Sequence, residues 1–282
     1  MKRIIHGENL RALGALPAAF ARLVYIDPPF NTGTVQARRR IRVTADAERG
    51  SRGGFGGKRY RVTNVPSARF ADSLGDAYVP WLLARVQAAL RCTTPDASIF
   101  VHLDAREVHY VKVALDALLG RDRFMNELVW AYDYGARPKR RWPPKHDTIL
   151  WYVRDPARYV FDREASDRIA YMAPGLVGAE KAARGKTPTD VWWHTIVPTN
   201  GREKTGYPTQ KPLGILERIV KVHSAPGDVV LDFFAGSGTT GEAAAKHGRG
   251  FVLIDESAAA VRVMRKRLAQ FRPETVNAHR GQ

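Results

Sequence analysis

The sequence is poor in cysteine and in acidic residues, and it has no long apolar run. Its only cysteine, Cys92, excludes a disulfide framework and a thiolate metal cluster, which favours a reducing, cytoplasmic location. No uninterrupted apolar segment approaches the roughly 20 residues needed to cross a bilayer. Residues 1–9 also lack the apolar core of a signal peptide. The eight histidines show no metal-ligand spacing, so we expect neither a membrane span nor a metal site.

The shortage of acids leaves a strongly basic chain. Against 28 Asp and Glu stand 45 Lys and Arg, which gives a net charge of +17 and a pI near 10.3. The surplus points to a polyanionic partner, and to nucleic acid before a membrane surface. A merely solvated basic surface is the alternative. The residues expected to contact nucleic-acid phosphates are Arg38, Arg39, Arg40, Arg42, Lys58, Arg59, Lys139, Arg140 and Arg141.

Much of this charge lies in residues 31–70. From Asn31 to Arg69, ten Lys or Arg stand against two acids, a surplus of eight. The glycines, arginines and isolated aromatic residues predict a mobile loop that grips phosphates and orders on binding. An idle, solvated loop is the other interpretation. A second basic and aromatic connection spans residues 137–145.

Elsewhere, apolar strand patterns alternate with amphipathic helix patterns, which predicts an α/β fold with a doubly wound, mostly parallel sheet of the Rossmann type. Strands are predicted at 23–26, 98–103, 127–132, 148–153, 229–231 and 251–254, and helices at 10–16, 78–91, 106–119 and from 211 onward. Asn9 is the predicted cap of the first helix, and Pro95-Asp96 is a predicted turn.

The periodicity weakens between residues 155 and 205, where Pro and Gly recur and Val191-Trp192-Trp193 is the main apolar anchor. This segment predicts an insertion. The chain therefore divides into a first part at 1–154, which includes the basic loop 31–70, the insertion at 155–205, and a last part at 206–282.

The first candidate site is the tetrapeptide Asp27-Pro28-Pro29-Phe30, directly after a buried strand. Two consecutive prolines end the strand because neither can donate a hydrogen bond to a sheet ladder. An acid, a rigid turn and an aromatic ring thus lie at the carboxyl end of a strand, where open α/β sheets bind ligands. A plain turn with a capping Asp27 and a packed Phe30 is an equally good interpretation of the tetrapeptide alone.

The second candidate site is the glycine loop 232–238, Asp-Phe-Phe-Ala-Gly-Ser-Gly, between a strand and a helix. Its glycines let the backbone approach a ligand, and Asp255, nineteen residues after Gly236, can bind ribose hydroxyls. Gly236, Gly238 and Gly241 also fit a dinucleotide pattern. Only one helix and one strand can follow Asp255, however, so a second mononucleotide half is missing. Asp232 further favours a nucleoside with positive charge, such as a sulfonium.

At this point a family resemblance becomes close. Residues 232–238 resemble the cofactor motif of S-adenosylmethionine-dependent methyltransferases, and the Asp27–Phe30 tetrapeptide resembles the catalytic motif of DNA amino-methyltransferases. Residues 207–212, Tyr-Pro-Thr-Gln-Lys-Pro, resemble the third signature of that family. Catalytic motif first and cofactor loop last is the order of its permuted β class. The resemblance covers most of the chain outside 36–70 and 155–190, although Phe30 stands where Tyr is commoner and Tyr207 where His is common.

The resemblance implies an S-adenosylmethionine-dependent DNA methyltransferase. Asp27 and the Pro28 carbonyl would accept hydrogen bonds from the exocyclic amine of a flipped base, and Phe30 would stack on that base. The cofactor residues implied are Asp232, Phe233, Phe234, Ala235, Gly236, Ser237, Gly238, Asp255, Thr209 and Lys211. The 155–205 insertion would recognise the target site. Double-stranded DNA is the implied partner, a location at the nucleoid follows, and a homodimer and a cognate restriction enzyme stay open.

Adenine N6 is the favoured target, and cytosine N4 is the close alternative because the same tetrapeptide can serve it. Cytosine C5 chemistry would need a nucleophilic cysteine, usually after a proline, whereas Cys92 follows Arg91 in a predicted helix and is interpreted as structural. A non-catalytic nucleic-acid-binding module and an NAD-dependent oxidoreductase are the less favoured classes.

Overall fold

The computed structural model describes residues 1–37, 40–45, 52–53, 59–65, 69–72, 74–135, 138–198 and 200–278, and between 34 and 73 it describes the backbone alone. The strands are β1 (Lys2–His6), β2 (Ala21–Ile26), β3 (Thr34–Ala37), β4 (Arg40–Ala45), β5 (Arg52–Gly53), β6 (Arg59–Val65), β7 (Arg69–Asp72), β8 (Thr93–Leu103), β9 (Phe124–Ala131), β10 (His146–Val153), β11 (Val191–Trp193), β12 (Val229–Asp232), β13 (Gly250–Asp255) and β14 (Glu274–Asn277). The α-helices are α1 (Asn9–Ala15), α2 (Tyr78–Leu90), α3 (Val108–Leu119), α4 (Ala179–Arg184), α5 (Leu213–His223), α6 (Thr239–Lys246) and α7 (Ala258–Arg267).

Nine of the described strands form one sheet in the order β11-β9-β10-β8-β2-β12-β13-β1-β14. Every neighbouring pair is parallel except the two that involve β10, which runs antiparallel to both β8 and β9. Along β2 successive side chains point to opposite faces, so Val24 and Ile26 join one apolar cluster while Leu23 and Tyr25 join the other. The prediction of a mostly parallel α/β sheet is confirmed.

Helices cover both faces of this sheet. The cluster on one face includes buried residues of α1, α2 and α3, and the cluster on the other includes buried residues of α5, α6 and α7. The doubly wound arrangement is therefore confirmed as well. Among the described helices, none combines the length and apolar character that a membrane span requires.

Several local predictions need correction. The cap of α1 is Glu8, whose carboxylate accepts a hydrogen bond from the Arg11 amide at 3.0 Å, whereas Asn9 is buried within the first turn. Pro95 and Asp96 lie inside β8 and do not form a separate turn before it. β1 was not predicted, although it pairs with both β13 and β14 in the sheet.

The composition of the basic segment 31–70 predicts a loop, but the described backbone of this segment contains strands. In the described backbone β3 pairs with β7, and β4, β6 and β5 form a three-stranded antiparallel sheet. Arg40 and Arg42 belong to β4 and Arg59 to β6. Arg38, Arg39 and Lys58 lie outside the described residues.

The irregular segment 155–205 contains the short helix α4 and, in its last part, the strand β11, which joins the sheet. β11 pairs in parallel with β9 at the sheet edge, so the predicted apolar anchor is a strand. Only the middle residue is buried: Trp192 is 6% exposed, while Trp193 is 74% exposed. The three-part division of the chain stays a prediction.

Candidate active site

The sheet brings three carboxylates to one edge. Asp27 follows β2, Asp232 ends β12 and Asp255 ends β13, and these three strands are consecutive parallel neighbours. Because the carboxyl ends of parallel strands meet at the same edge, residues more than 200 positions apart in sequence come together. All three carboxylates line one cavity of about 720 Å³.

This cavity collects most of the predicted site residues. It is lined by Asp27, Pro28, Pro29, Phe30, Thr209, Lys211, Asp232, Phe233, Phe234, Ala235, Gly236, Ser237 and Asp255. Gly238 does not line it. Gly238 is instead the cap residue directly before α6, with a left-handed φ of 75°, and a Cβ there would lie 2.8 Å from the Met264 side chain. Its absence of a side chain thus permits close packing of α6 and α7.

Asp27 is held by a lysine. The Lys211 ammonium donates to both carboxylate oxygens of Asp27, at 2.7 and 2.6 Å. The same ammonium lies 4.7 Å from the centre of the Phe30 ring. The side chains of Lys211 and Asp27 are only 11% and 15% exposed, so this is a largely desolvated ion pair. The family resemblance implied a cofactor contact for Lys211, yet its charged end contacts the tetrapeptide.

Asp232 is a buried acid that lines the cavity. Its carboxylate accepts hydrogen bonds from the Phe234 amide at 3.0 Å and from the Thr240 hydroxyl at 2.6 Å. Burial nevertheless dominates, because it penalises the charged form, and raises the pKa of Asp232 to about 7. In the free protein this group is therefore poised to ionise when a cation or a polar ligand enters.

Asp255 has a similar environment. It accepts hydrogen bonds from the amides of Gly236 and Ser257, both at 2.8 Å. Burial raises the pKa of this carboxyl to about 6, because the two backbone donors offset desolvation only in part. One acid at each of two adjacent strand ends can thus bind hydroxyls or positive charge.

Gly236 and Tyr207 form a close contact at the cavity wall. Gly236 has a φ of 49°, and a Cβ on it would lie 3.1 Å from the Tyr207 ring. The third motif of the sequence therefore packs directly on the glycine loop. Burial also raises the pKa of the Tyr207 hydroxyl, so this group stays neutral.

One wall of the cavity is aromatic and was not predicted from the sequence. Trp81 of α2 lies 5.4 Å from the Phe234 ring, and the Arg85 guanidinium stacks over Trp81 at 4.2 Å. Arg85 also donates to Glu8 and Asn9, at 2.8 and 2.6 Å.

A buried hydrogen-bonded chain behind the tetrapeptide was also missed. The Tyr25 hydroxyl lies 2.7 Å from His102 Nδ1, and His102 Nε2 lies 3.1 Å from Asp147. The Tyr132 hydroxyl donates to the other oxygen of Asp147 at 3.1 Å. Burial alone would raise the pKa of Asp147, but the hydrogen bonds from His102 and Tyr132 lower it, so the acid is ionised. The buried His102 ring thus makes specific polar contacts on both of its nitrogens.

The basic connection between β9 and β10 does not line the cavity. Lys139, Arg140 and Arg141 are exposed, and so is the neighbouring Trp142 at 93%. Because β10 runs antiparallel to β8, this connection leaves the sheet at the edge where β8 ends, beside β2. It therefore lies on the same side of the molecule as Asp27.

Comparison with known proteins gives one family and several relatives. A family model described as DNA methylase (N6_N4_Mtase) matches residues 21–266. Type II methyltransferase M.ScaI of Streptomyces caespitosus is 27% identical over 265 residues, which cover 89% of this chain and 76% of that protein. DNA adenine methyltransferase YhdJ of Escherichia coli (strain K12) is 26% identical over 280 residues, which cover 95% and 82%.

Solved structures share the fold. The crystal structure of the M1.HpyAVI-SAM complex matches with a TM-score of 0.59 and 20% identity, over 95% of this chain and 99% of that chain. The PvuII DNA methyltransferase, described as cytosine-N4-specific, matches with a TM-score of 0.65 and 16% identity, over 95% and 86%.

Proposed function

The chain belongs to the DNA methylase family whose model matches residues 21–266, and we propose that it transfers a methyl group from S-adenosylmethionine to the exocyclic amine of a base in double-stranded DNA. The observation that carries the proposal is the single cavity lined by both the Asp27–Phe30 tetrapeptide and the glycine loop. An acid suited to bind an amine and a loop suited to bind a nucleoside thus face the same space. The motif order supports the permuted β class.

The residues present fit S-adenosylmethionine. Asp232 offers a buried carboxylate and Asp255 a half-buried one to a ligand with ribose hydroxyls and positive charge, and the rings of Trp81 and Phe234 line the same cavity, where an adenine can pack against them. Thr209 lines the same wall. When bound, this cofactor supplies a methyl group activated by the positive charge on its sulfur. We propose that the cavity side of residues 232–237 holds it.

Asp27 acts on the base. An exocyclic amine of adenine or cytosine is a poor nucleophile because its lone pair is delocalised into the ring. A hydrogen bond from the amine to Asp27, and a second to the Pro28 carbonyl, would localise that pair as the nitrogen attacks in line. The Phe30 ring would stack on the base, which must leave the duplex to reach the cavity. The methylated nitrogen then loses its proton late, because the product ammonium is acidic.

Adenine N6 is the proposed target. The E. coli relative that covers 95% of this chain is named an adenine methyltransferase, which supports this choice. The PvuII enzyme, at 16% identity, is described as cytosine-N4-specific, so the fold serves both bases.

Expression in a methylation-free host identifies the base directly. We expect N6-methyladenine at a defined sequence in the host DNA, detected by mass spectrometry of nucleosides and located by long-read sequencing. N4-methylcytosine at such a site would overturn the choice of base and leave the reaction intact. If cells that contain folded protein have neither N6-methyladenine nor N4-methylcytosine in their DNA, the proposed function is contradicted.

DNA contacts are proposed for three segments: the basic module at residues 31–70, the β9–β10 connection with Lys139, Arg140 and Arg141, and the target-recognition insertion 155–205. The connection leaves the sheet edge near Asp27, where a duplex must lie for its base to enter the cavity. The name of the Streptomyces relative, a type II methyltransferase, supports a cognate restriction enzyme as a proposed partner. A homodimer and a location at the nucleoid are predictions as well.

Removal of the basic module should weaken DNA binding and flatten its salt dependence. Ala37 of β3 is paired with Arg69 of β7, so an Asn-Gly turn can replace residues 38–68 and close the two strands as a hairpin. Lost phosphate contacts reduce the slope of log K against log salt by about 0.9 each. Fluorescence anisotropy with a DNA duplex between low and moderate salt measures this slope.

A full-length control separates charge from shape. Glutamine at positions Arg38, Arg39 and Lys58 keeps the segment and removes three positive charges. It should lower the slope by a smaller amount than the deletion. An unaltered slope in both variants would show that the module does not contact DNA.

A further inference from the structure

Lys211 occupies an unexpected place for a cofactor residue. Its ammonium lies between the catalytic acid and the catalytic ring, 2.6 and 2.7 Å from the two oxygens of Asp27 and 4.7 Å from the centre of Phe30. When a short ion pair held largely away from water opens without a replacement partner, it leaves a poorly solvated charge behind.

The two contacts of Lys211 are those that the proposed mechanism gives to the target amine. The amine must donate a hydrogen bond to Asp27, and its base must lie against the ring of Phe30. The ammonium lies against both oxygens of Asp27 and 4.7 Å from the centre of the Phe30 ring, so it occupies the space that the amine of a stacked base would need. A base and the ammonium therefore compete for Asp27.

Resting on the proposed function, we propose that Lys211 is a positioning residue that stands in for the target amine until S-adenosylmethionine binds and displaces it. In-line transfer requires the reacting methyl to lie about 3 to 3.5 Å from the amine nitrogen. The position of Lys211 Nζ would then adjoin the positive sulfur. Two like charges at such a separation in a partly buried cavity repel each other, so the cofactor weakens the ion pair.

The backbone links Lys211 to the cofactor loop. The Thr239 hydroxyl at the start of α6 donates to the Lys211 carbonyl oxygen at 3.2 Å. Four residues earlier Tyr207 packs on Gly236. Residues 207–211 thus contact the glycine loop on one side and Asp27 on the other. A ligand bound at the loop can therefore move Tyr207 and Lys211 together.

Calorimetry with two natural ligands tests the proposal without DNA. S-adenosylmethionine carries the sulfonium charge, and S-adenosylhomocysteine has a neutral thioether in its place. For Lys211→Met we expect the ratio of the two affinities to shift about fivefold or more in favour of S-adenosylmethionine, because a repelling cation is gone. Lys211→Arg keeps the charge and should keep the wild-type ratio.

A matched control is Lys246→Met, which removes the same charge from the surface of α6. It should leave the ratio unchanged. If Lys211→Met weakens both ligands equally, the residue is an ordinary cofactor contact and the proposal is wrong. If the wild-type protein binds neither ligand, it is the proposed function that fails.

A second measurement follows the base. A duplex that contains the mapped target site, with 2-aminopurine at the target position, becomes fluorescent when that base leaves the helix. We expect the wild-type protein to raise the fluorescence only with S-adenosylmethionine present, and Lys211→Met to raise it with or without the cofactor. Equal dependence on cofactor in both proteins would overturn the displacement of Lys211.

Discussion

Asp27→Ala should abolish methyl transfer while cofactor binding largely survives. Removal of a preorganised acceptor of this kind costs about 10³-fold or more in rate, because the amine lone pair is no longer localised as it attacks. Asp232 and Asp255 lie on other strands and keep their own hydrogen bonds. Single-turnover transfer of a radioactive methyl group to DNA, with calorimetry of cofactor binding alongside, separates the two effects.

The controls address the lysine that Asp27 holds. Asp27→Ala leaves the Lys211 ammonium in a place that is only 11% exposed, which costs stability. Asp27→Asn keeps the shape, and the pair Asp27→Ala with Lys211→Met removes both charges. Thermal unfolding shows which variants are intact. A folded Asp27 variant with wild-type activity would refute the proposed mechanism.

Cofactor affinity should rise about tenfold between pH 6 and pH 8. Asp232, with a pKa of about 7, is mostly protonated at the lower pH and mostly ionised at the higher, and a cationic ligand favours the ionised form. Asp255, with a pKa of about 6, adds to the lower part of this range. In Asp232→Asn the affinity at pH 8 should fall by about tenfold or more, and most of the pH dependence should vanish.

The raised pKa of Asp232 also makes the stability of the free protein depend on pH. Its free energy of unfolding falls as the pH rises, whereas the cofactor affinity increases. The folded pKa of Asp232 lies above its unfolded value of 3.8, so between about pH 4 and pH 7 the folded state binds more protons. The stabilisation that Asp232 gives the folded protein is fully present below pH 4. It is lost as the pH rises to 7, so the free energy of unfolding falls over this range. Denaturant unfolding at several pH values measures this. Asp122→Asn, at an exposed carboxylate, should change neither the stability nor the affinity profile.

The sequence predicted the fold where local pattern and packing agree. Buried strands such as 229–231 and 251–254 have continuous apolar runs because helices cover both faces of the parallel sheet. β1 escaped prediction because only Ile4 and Ile5 are apolar within Lys2–His6. Its place between β13 and β14 comes from partners at the other end of the chain, which no local window contains.

The basic segment shows how composition can mislead. Its glycines and arginines predict a loop, yet Arg40-Ile41-Arg42-Val43 and Arg59-Tyr60-Arg61-Val62 alternate between polar and apolar residues. That period of two is typical of a half-buried strand, and β4 and β6 lie there. The alternation was the missed signal.

The site was predictable as a set of strand ends and unpredictable as a set of contacts. Asp27, Asp232 and Asp255 could be placed at one edge because parallel strands share a direction. The ion pair between Asp27 and Lys211 and the pairing of His102 with Asp147 depend on side chains from different elements. The directions in which these side chains point follow from tertiary packing, which a single sequence does not show.

The register of the sheet has a consequence for how the protein is made. Val24 of β2 pairs with Leu231 of β12, and β1 pairs with β13 and β14, so strands synthesised first wait for strands synthesised last. At ordinary translation rates the delay is on the order of ten seconds or more. The entropy cost of closing loops of this length must be met before the strands gain any stability from pairing. This cost slows folding. The site at Asp27 therefore assembles only after the ribosome has delivered β12, and until then the growing chain exposes the unpaired edge of β2.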